Sequence, residues 1–169
     1  FNPHPLMKTA ILGIFLLGMV APLSGETPAT STATEFTPEQ VDKLVGPIAL
    51  YPDPLVALIL PASTAPTDIV LAARYLRANG DPAQISNQFW DDSVKALANY
   101  PEIVEWMSDN LEWTEAMGRA FVAQPVQVME SIQKLRAIAK ANGTLVNTPQ
   151  QKIIMDNGNI IIEPATPDD

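Results

Sequence analysis

The chain has 169 residues, 47% of them hydrophobic and 17% charged, with a formal net charge of −9 and no cysteine. That length suits one domain with its own core plus tails, and the lack of cysteine excludes disulfides, thiolate nucleophiles and cysteine-bound metal clusters. A nucleic-acid partner calls for a basic patch, and the longest cationic grouping, Lys134, Arg136 and Lys140, reads only as the solvated side of one helix.

Met7-Lys8 precedes an apolar run from Ala10 to Val20 and then the small residues Ala21-Pro22-Leu23-Ser24-Gly25. This predicts a secretory signal over residues 1–25, cut after Gly25. The run falls short of the roughly 18–20 residues a spanning helix needs, so no stable membrane span is expected after cleavage. Residues 1–6 lie upstream of the expected initiator Met7 and read as non-native. Without His4 and Lys8 the chain keeps 9 bases against 19 acids, a net charge of −10, and has no histidine. Residues 26–37, rich in Thr, Ser, Ala and Pro, read as a flexible linker. A cysteine-free acidic domain behind an export signal fits a bacterial periplasm or exterior.

From residue 38 the chain reads as short helices opened by prolines. Proline is tolerated in a helix's first turn, where its missing N–H would have no partner. Thr37-Pro38-Glu39-Gln40 has the form of a capping box. In the stretch GPIALYPDPL, Pro52 disfavours helical geometry at Tyr51, Asp53 is placed to cap, and Pro54 starts an apolar helix through Leu60. Ile69, Ala72, Ala73 and Leu76 form the stripe of a helix that Gly80 ends. Val94, Leu97 and Ala98 face inward before Tyr100, and Ile103, Val104 and Met107 follow Pro101.

Asn110 is positioned to cap a helix bearing Leu111, Trp113, Met117 and Phe121. The helix from Pro125 places Val126, Met129, Ile132, Leu135 and Ile138/Ala139 along one inner side and stops at Asn142-Gly143. Two apolar runs, 151–156 and 159–163, flank Asn157-Gly158, which supplies the positive φ values of a two-residue type I′ turn. The expected layout is a helical domain over 38–143, a β-hairpin segment over 144–165 and a tail over 166–169. The fold class is mostly α: a compact bundle of six to seven short Pro-initiated helices with a C-terminal β-hairpin.

LVGPIALYPDPLVALILPAST (44–64), AARYL (72–76), FWDDSVKALANYP (89–101), MSDNLEWTEAMGRAFVAQP (107–125) and VMESIQKLRAIAKANGTLVNTPQQ (128–151) together resemble a bacterial cell-envelope family, domain of unknown function 3300. The resemblance covers most of residues 38–165. It implies an exported protein with a helical domain followed by a β segment, and brings no catalytic residues with it. Three features depart from the family pattern: Asp92 where proline often follows Trp-Asp, Ala65 where an aromatic is common, and an end at Asp169 where relatives run on. The expectation is a minimal version of the domain.

Histidine- and cysteine-based catalysis is excluded from the mature chain, and no Gly-Lys-Ser/Thr phosphate loop occurs. The carboxylates Asp53, Asp91, Asp92, Glu102, Glu105, Asp109, Glu112 and Glu115 leave an acid/base pair of the glycosidase type open. Asp53, Asp91 and Asp109 sit at predicted helix starts, where capping explains an acid more simply. No loop has the alternating Asp/Asn pattern of a calcium site, so no metal and no cofactor are expected.

Phe89, Trp90, Tyr100, Trp106 and Trp113 fall within 25 residues and read first as helix-packing core, second as a stacking platform for glycan or peptide. Catalytic residues are unknown. The binding candidates are Tyr51, Asp53, Trp90, Asp91, Asp92, Trp106 and Trp113. The expected function is a non-enzymatic binding or scaffold module that engages an envelope protein or cell-wall glycan, aided by a hairpin edge open to strand addition. The alternatives are a carboxylate-dependent hydrolase of cell-wall glycan and a periplasmic assembly factor.

Overall fold

A computed structural model describes residues 36–165; the expected signal, residues 26–35 and the 166–169 tail lie outside them. Seven α-helices follow in order: α1 (Pro38–Val45), α2 (Asp53–Ala62), α3 (Pro66–Arg77), α4 (Asp92–Leu97), α5 (Pro101–Asp109), α6 (Leu111–Ala123) and α7 (Pro125–Ala141). A 3-10 helix, Pro82–Asn87, joins α3 to α4, and the antiparallel strands β1 (Gln151–Asp156) and β2 (Asn159–Pro164) close the described chain. The architecture is mostly helical with a C-terminal hairpin. No single helix among the described residues is long and apolar enough to cross a membrane.

Local signals set most helix ends. Thr37 Oγ1 accepts from Gln40 N at 3.3 Å while Gln40 Oε1 accepts from Thr37 N at 2.8 Å, completing the capping box of α1. Proline occupies the first turn of α1, α2, α3, α5 and α7, where its lost donor has no consequence. Gly143, at φ +72°, terminates α7. The end of α3 differs from expectation. Asn79 takes the left-handed conformation at φ 54°, whereas Gly80 lies under the Tyr75 ring, where any Cβ would come within 2.2 Å of Cε1. Asn110 also departs: its amide donates to the Trp106 carbonyl at 2.8 Å instead of capping α6.

These helices are too short to persist alone, so their apolar faces supply the stability. Val41, Val45, Ile59, Ile69, Leu97, Val104, Met107, Met117 and Ile132 are buried in one core, with α1 against α7, α2 against α4 and α3 against α5. A second, smaller cluster of Ala139, Leu145, Ile160 and Ile162 seats the hairpin. Asn157 and Gly158 have φ values of 47° and 86°, as the two-residue turn requires.

The face that α7 buries is only partly the one its apolar spacing suggests: Ile132, Leu135 and Ala139 pack inward as expected, and the rest differs. Val128, Ser131, Ile132, Arg136 and Ala139 point inward, while Val126, Met129 and Ile138 are 67%, 46% and 48% exposed. Nor does Arg136 share the solvated side with Lys134 and Lys140; it is only 2% exposed. The cause is polar: Arg136 finds buried acceptors on two distant segments, and this fixes the rotation of the helix.

Close approach, not hydrophobicity, selects Gly118 in the middle of α6. A Cβ there would lie 2.3 Å from the Ser63 carbonyl oxygen at the α2–α3 turn. Backbone cannot yield as a flexible side chain can, so Gly118→Ala should destabilise by about 1–3 kcal/mol, read as a lower urea midpoint at unchanged slope. An unchanged midpoint would show that α6 and the turn are free to separate.

Candidate functional site

The stretch GPIALYPDPL is organised by Arg136. Its Nε donates to the Ala49 carbonyl at 2.8 Å, Nη2 to the Tyr51 carbonyl at 3.1 Å, and Nη1 to the Ile160 carbonyl of β2 at 2.8 Å. Nη1 also forms an ion pair with Asp53 Oδ1. Residues 46–52 form no regular helix; local N–H groups serve the Ile48 and Pro52 carbonyls, and the buried guanidinium serves those of Ala49 and Tyr51. Asp53 is therefore not the cap of α2. It is the first residue of that helix, behind Pro52, and no side-chain cap is made there. Its Oδ1 is enclosed and held, among the described residues, by Arg136 alone, while 38% of the side chain stays exposed.

That exposed part opens into a groove. Between α7 and β2 lies a depression of about 920 Å³ whose lining includes Asp53, Val126, Met129, Glu130, Gln133 and Ile161. A more enclosed arm of about 430 Å³ runs between α2, α6 and α7, reaching Ala57, Pro61 and Phe121. Asp53, Met129 and Gln133 line both, so the two adjoin. The outward apolar strip of α7, including Val126 and Met129, forms one wall. Sequence periodicity had placed those side chains in the core, and the missing signal was the pull of Arg136 on the helix face.

Strand addition, in contrast, finds few open groups. Gln133 receives Ile160 N–H at 2.8 Å and donates to its carbonyl at 3.2 Å, occupying the outer side of β2 there. On β1, Thr148 N donates to the Gln151 carbonyl at 2.9 Å and Asn147 Oδ1 accepts from Ile153 N at 2.7 Å. The hairpin edge is thus blunted at Gln151, Ile153 and Ile160 by its own neighbours.

The other binding candidates stand apart from the groove. Trp90 is buried, with its ring 5.5 Å from that of Tyr75 in an edge-on contact. Asp91 caps α4 by accepting from Ser93 N at 2.9 Å; the Ser93 hydroxyl, and then this N–H, hold its pKa below the ordinary carboxylate value, and Asp92 pairs with Lys95 at 3.0 Å. Phe89, beside them, is fully exposed and not core. Trp106 and Trp113 meet edge-on at 4.7 Å, and Trp113 Nε1 donates to the Leu44 carbonyl at 2.8 Å. Asp109 ends α5 and pairs with Arg77 at 2.8 Å, so it is not a cap at a helix start. Tyr51 packs its ring partly into the core and gives its carbonyl to Arg136. Among the described residues, no three His, Cys, Asp or Glu side chains gather so as to hold a metal ion.

Removing Arg136 would strand three carbonyls and the Asp53 carboxylate. Arg136→Met should lose about 3–5 kcal/mol in urea unfolding, and adding Asp53→Leu should recover part of that loss. A single variant as stable as the parent would contradict the proposed cradle. A second tie is titratable. Asp42 of α1 accepts from Lys134 Nζ at 2.6 Å and Ser131 Oγ at 2.5 Å, and these bonds hold its pKa below the ordinary value of 3.8. Because folding lowers that pKa, the ionised carboxylate stabilises the fold above 3.8, and the contribution fades as pH falls through the lowered value. Asp42→Asn should therefore be less stable than the parent at neutral pH, with the two converging in strong acid, as urea midpoints across pH would record.

The family described as "Protein of unknown function (DUF3300)" matches residues 37–168. The "Uncharacterized protein YacH" of Escherichia coli (strain K12) is 41% identical over 134 residues. That alignment covers 76% of this chain but only 22% of YacH, so the chain spans about a fifth of its relative's length. No solved structure matches the chain. Having Tyr51, Asp53 and Arg136 all inside the matched span, the chain belongs to the DUF3300 family.

Proposed function

We propose that the described unit is a non-enzymatic binding module of the bacterial cell envelope, and that its working surface is the groove between α7, α2 and β2. The observation that carries this reading is the pair of adjoining depressions walled by Val126 and Met129, exposed apolar side chains that the fold leaves on the outward face of α7. Exposed apolar side chains brought together in a concavity, with polar groups at the margin, are what a protein or peptide partner uses. Asp91, Asp92 and Asp109 are each engaged in a cap or an ion pair, which favours structural roles for the acids that a glycan hydrolase would otherwise recruit. The signal-like segment over residues 1–25 supports export.

Tagged full-length chain expressed in a bacterium should appear in the periplasmic fraction and yield specific cross-linked adducts through a photoreactive residue at position 126. Met129→Asp, an exposed change that spares the core, should abolish those adducts without moving the urea midpoint. Cytoplasmic retention of the full chain would remove the envelope assignment, and adducts that survive Met129→Asp would remove the groove.

A further inference from the structure

Resting on the binding reading above, we propose that the groove takes an amphipathic helical segment of a partner protein that carries a basic side chain, received by Asp53 and Glu130. The apolar part of the fit comes from three elements: Val126 and Met129 of α7, Ala57 and Pro61 of α2, and Ile161 of β2. α7 has 17 residues and so runs about 25 Å, a length that a docked helix of roughly 16 residues would match. Helix-in-groove docking asks nothing of the hairpin's backbone edge, which Gln133, Thr148 and Asn147 already occupy.

Charge selects the partner. The cations at the groove already have anionic partners: Lys134, which lines it, is held by Asp42, and Arg136 is buried against three carbonyls and Asp53. Glu130 is exposed and forms no ion pair among the described residues. Asp53 presents its exposed part where the two arms of the groove meet, while its enclosed Oδ1 is held by Arg136 Nη1. A lysine or arginine on the docked helix pairs with Glu130 and the exposed part of the Asp53 carboxylate. A second copy of this chain brings a like net charge of −9 and its own Asp53 and Glu130, and an anionic membrane surface or a nucleic acid is repelled in the same way.

The test measures binding of full-length protein to two labelled 16-residue amphipathic helical peptides, one of Leu and Lys and one of Leu and Glu. Their affinities are followed by fluorescence anisotropy. The Leu/Lys peptide should bind at least about tenfold more tightly than the Leu/Glu peptide. Met129→Asp should weaken that binding about tenfold or more, and Glu130→Lys roughly threefold or more. Glu112→Lys, the same change in net charge away from the groove, should leave it within about twofold, separating local recognition from bulk attraction.

Equal binding of the two peptides overturns the proposal, as does equal weakening by Glu112→Lys and Glu130→Lys. Self-association blocked by Met129→Asp would identify a second copy as the occupant and overturn it too. If Met129→Asp abolishes cross-linking to a natural partner while the two peptides bind alike, the binding function stands and only the basic partner is rejected.

Discussion

Arg136 is a charge buried almost completely in a small domain, and three separate segments meet on it. Moving a guanidinium out of water costs several kcal/mol, recovered only when its donors and charge are matched. Here the matching groups are the Ala49 and Tyr51 carbonyls, the Ile160 carbonyl and the Asp53 carboxylate. The junction between α1 and α2 has no helix or sheet to satisfy the Ala49 and Tyr51 carbonyls, and among the described residues β2 has one partner strand. Each depends on donors projected from α7, so the position of α7 sets the path of the junction and the seat of the hairpin together.

The same constraint produces the surface. Turning Arg136 and Ser131 inward leaves Val126, Met129 and Ile138 outward, an inversion of the usual amphipathic arrangement over part of the helix. Gln133, one turn before Ala137, then holds the Ile160 backbone by both its amide groups and keeps β2 beside α7 without covering Val126 or Met129. The groove is what remains between a helix rotated by its polar contacts and a strand held near it by two long polar side chains.

Local chemistry made much of the fold legible in the sequence. The capping box at Thr37, the prolines in first helical turns and the Asn157-Gly158 turn act through residues a few positions apart, and each is found where the pattern put it. What was not legible depends on partners far along the chain. Arg136 meets Ala49 and Tyr51 across 87 and 85 residues, so periodicity could not tell that a polar side would be buried. Asp53 looked like a cap because it precedes a helix; only the fold brings it against Arg136. Gly118 carries no local signal at all, since its need arises from the Ser63 backbone across the interface. Of the groove, the sequence singled out Asp53 but assigned Val126 and Met129 to the core.

The account is tested most directly by the NMR signal of the Arg136 Nε–H in the folded protein. A buried donor bonded to the Ala49 carbonyl at 2.8 Å predicts a proton that exchanges slowly with water and shows through-bond coupling to that carbonyl carbon. A rapidly exchanging, uncoupled Nε–H, like that of a solvated arginine, would mean that α7 faces the other way and that no groove of this kind exists.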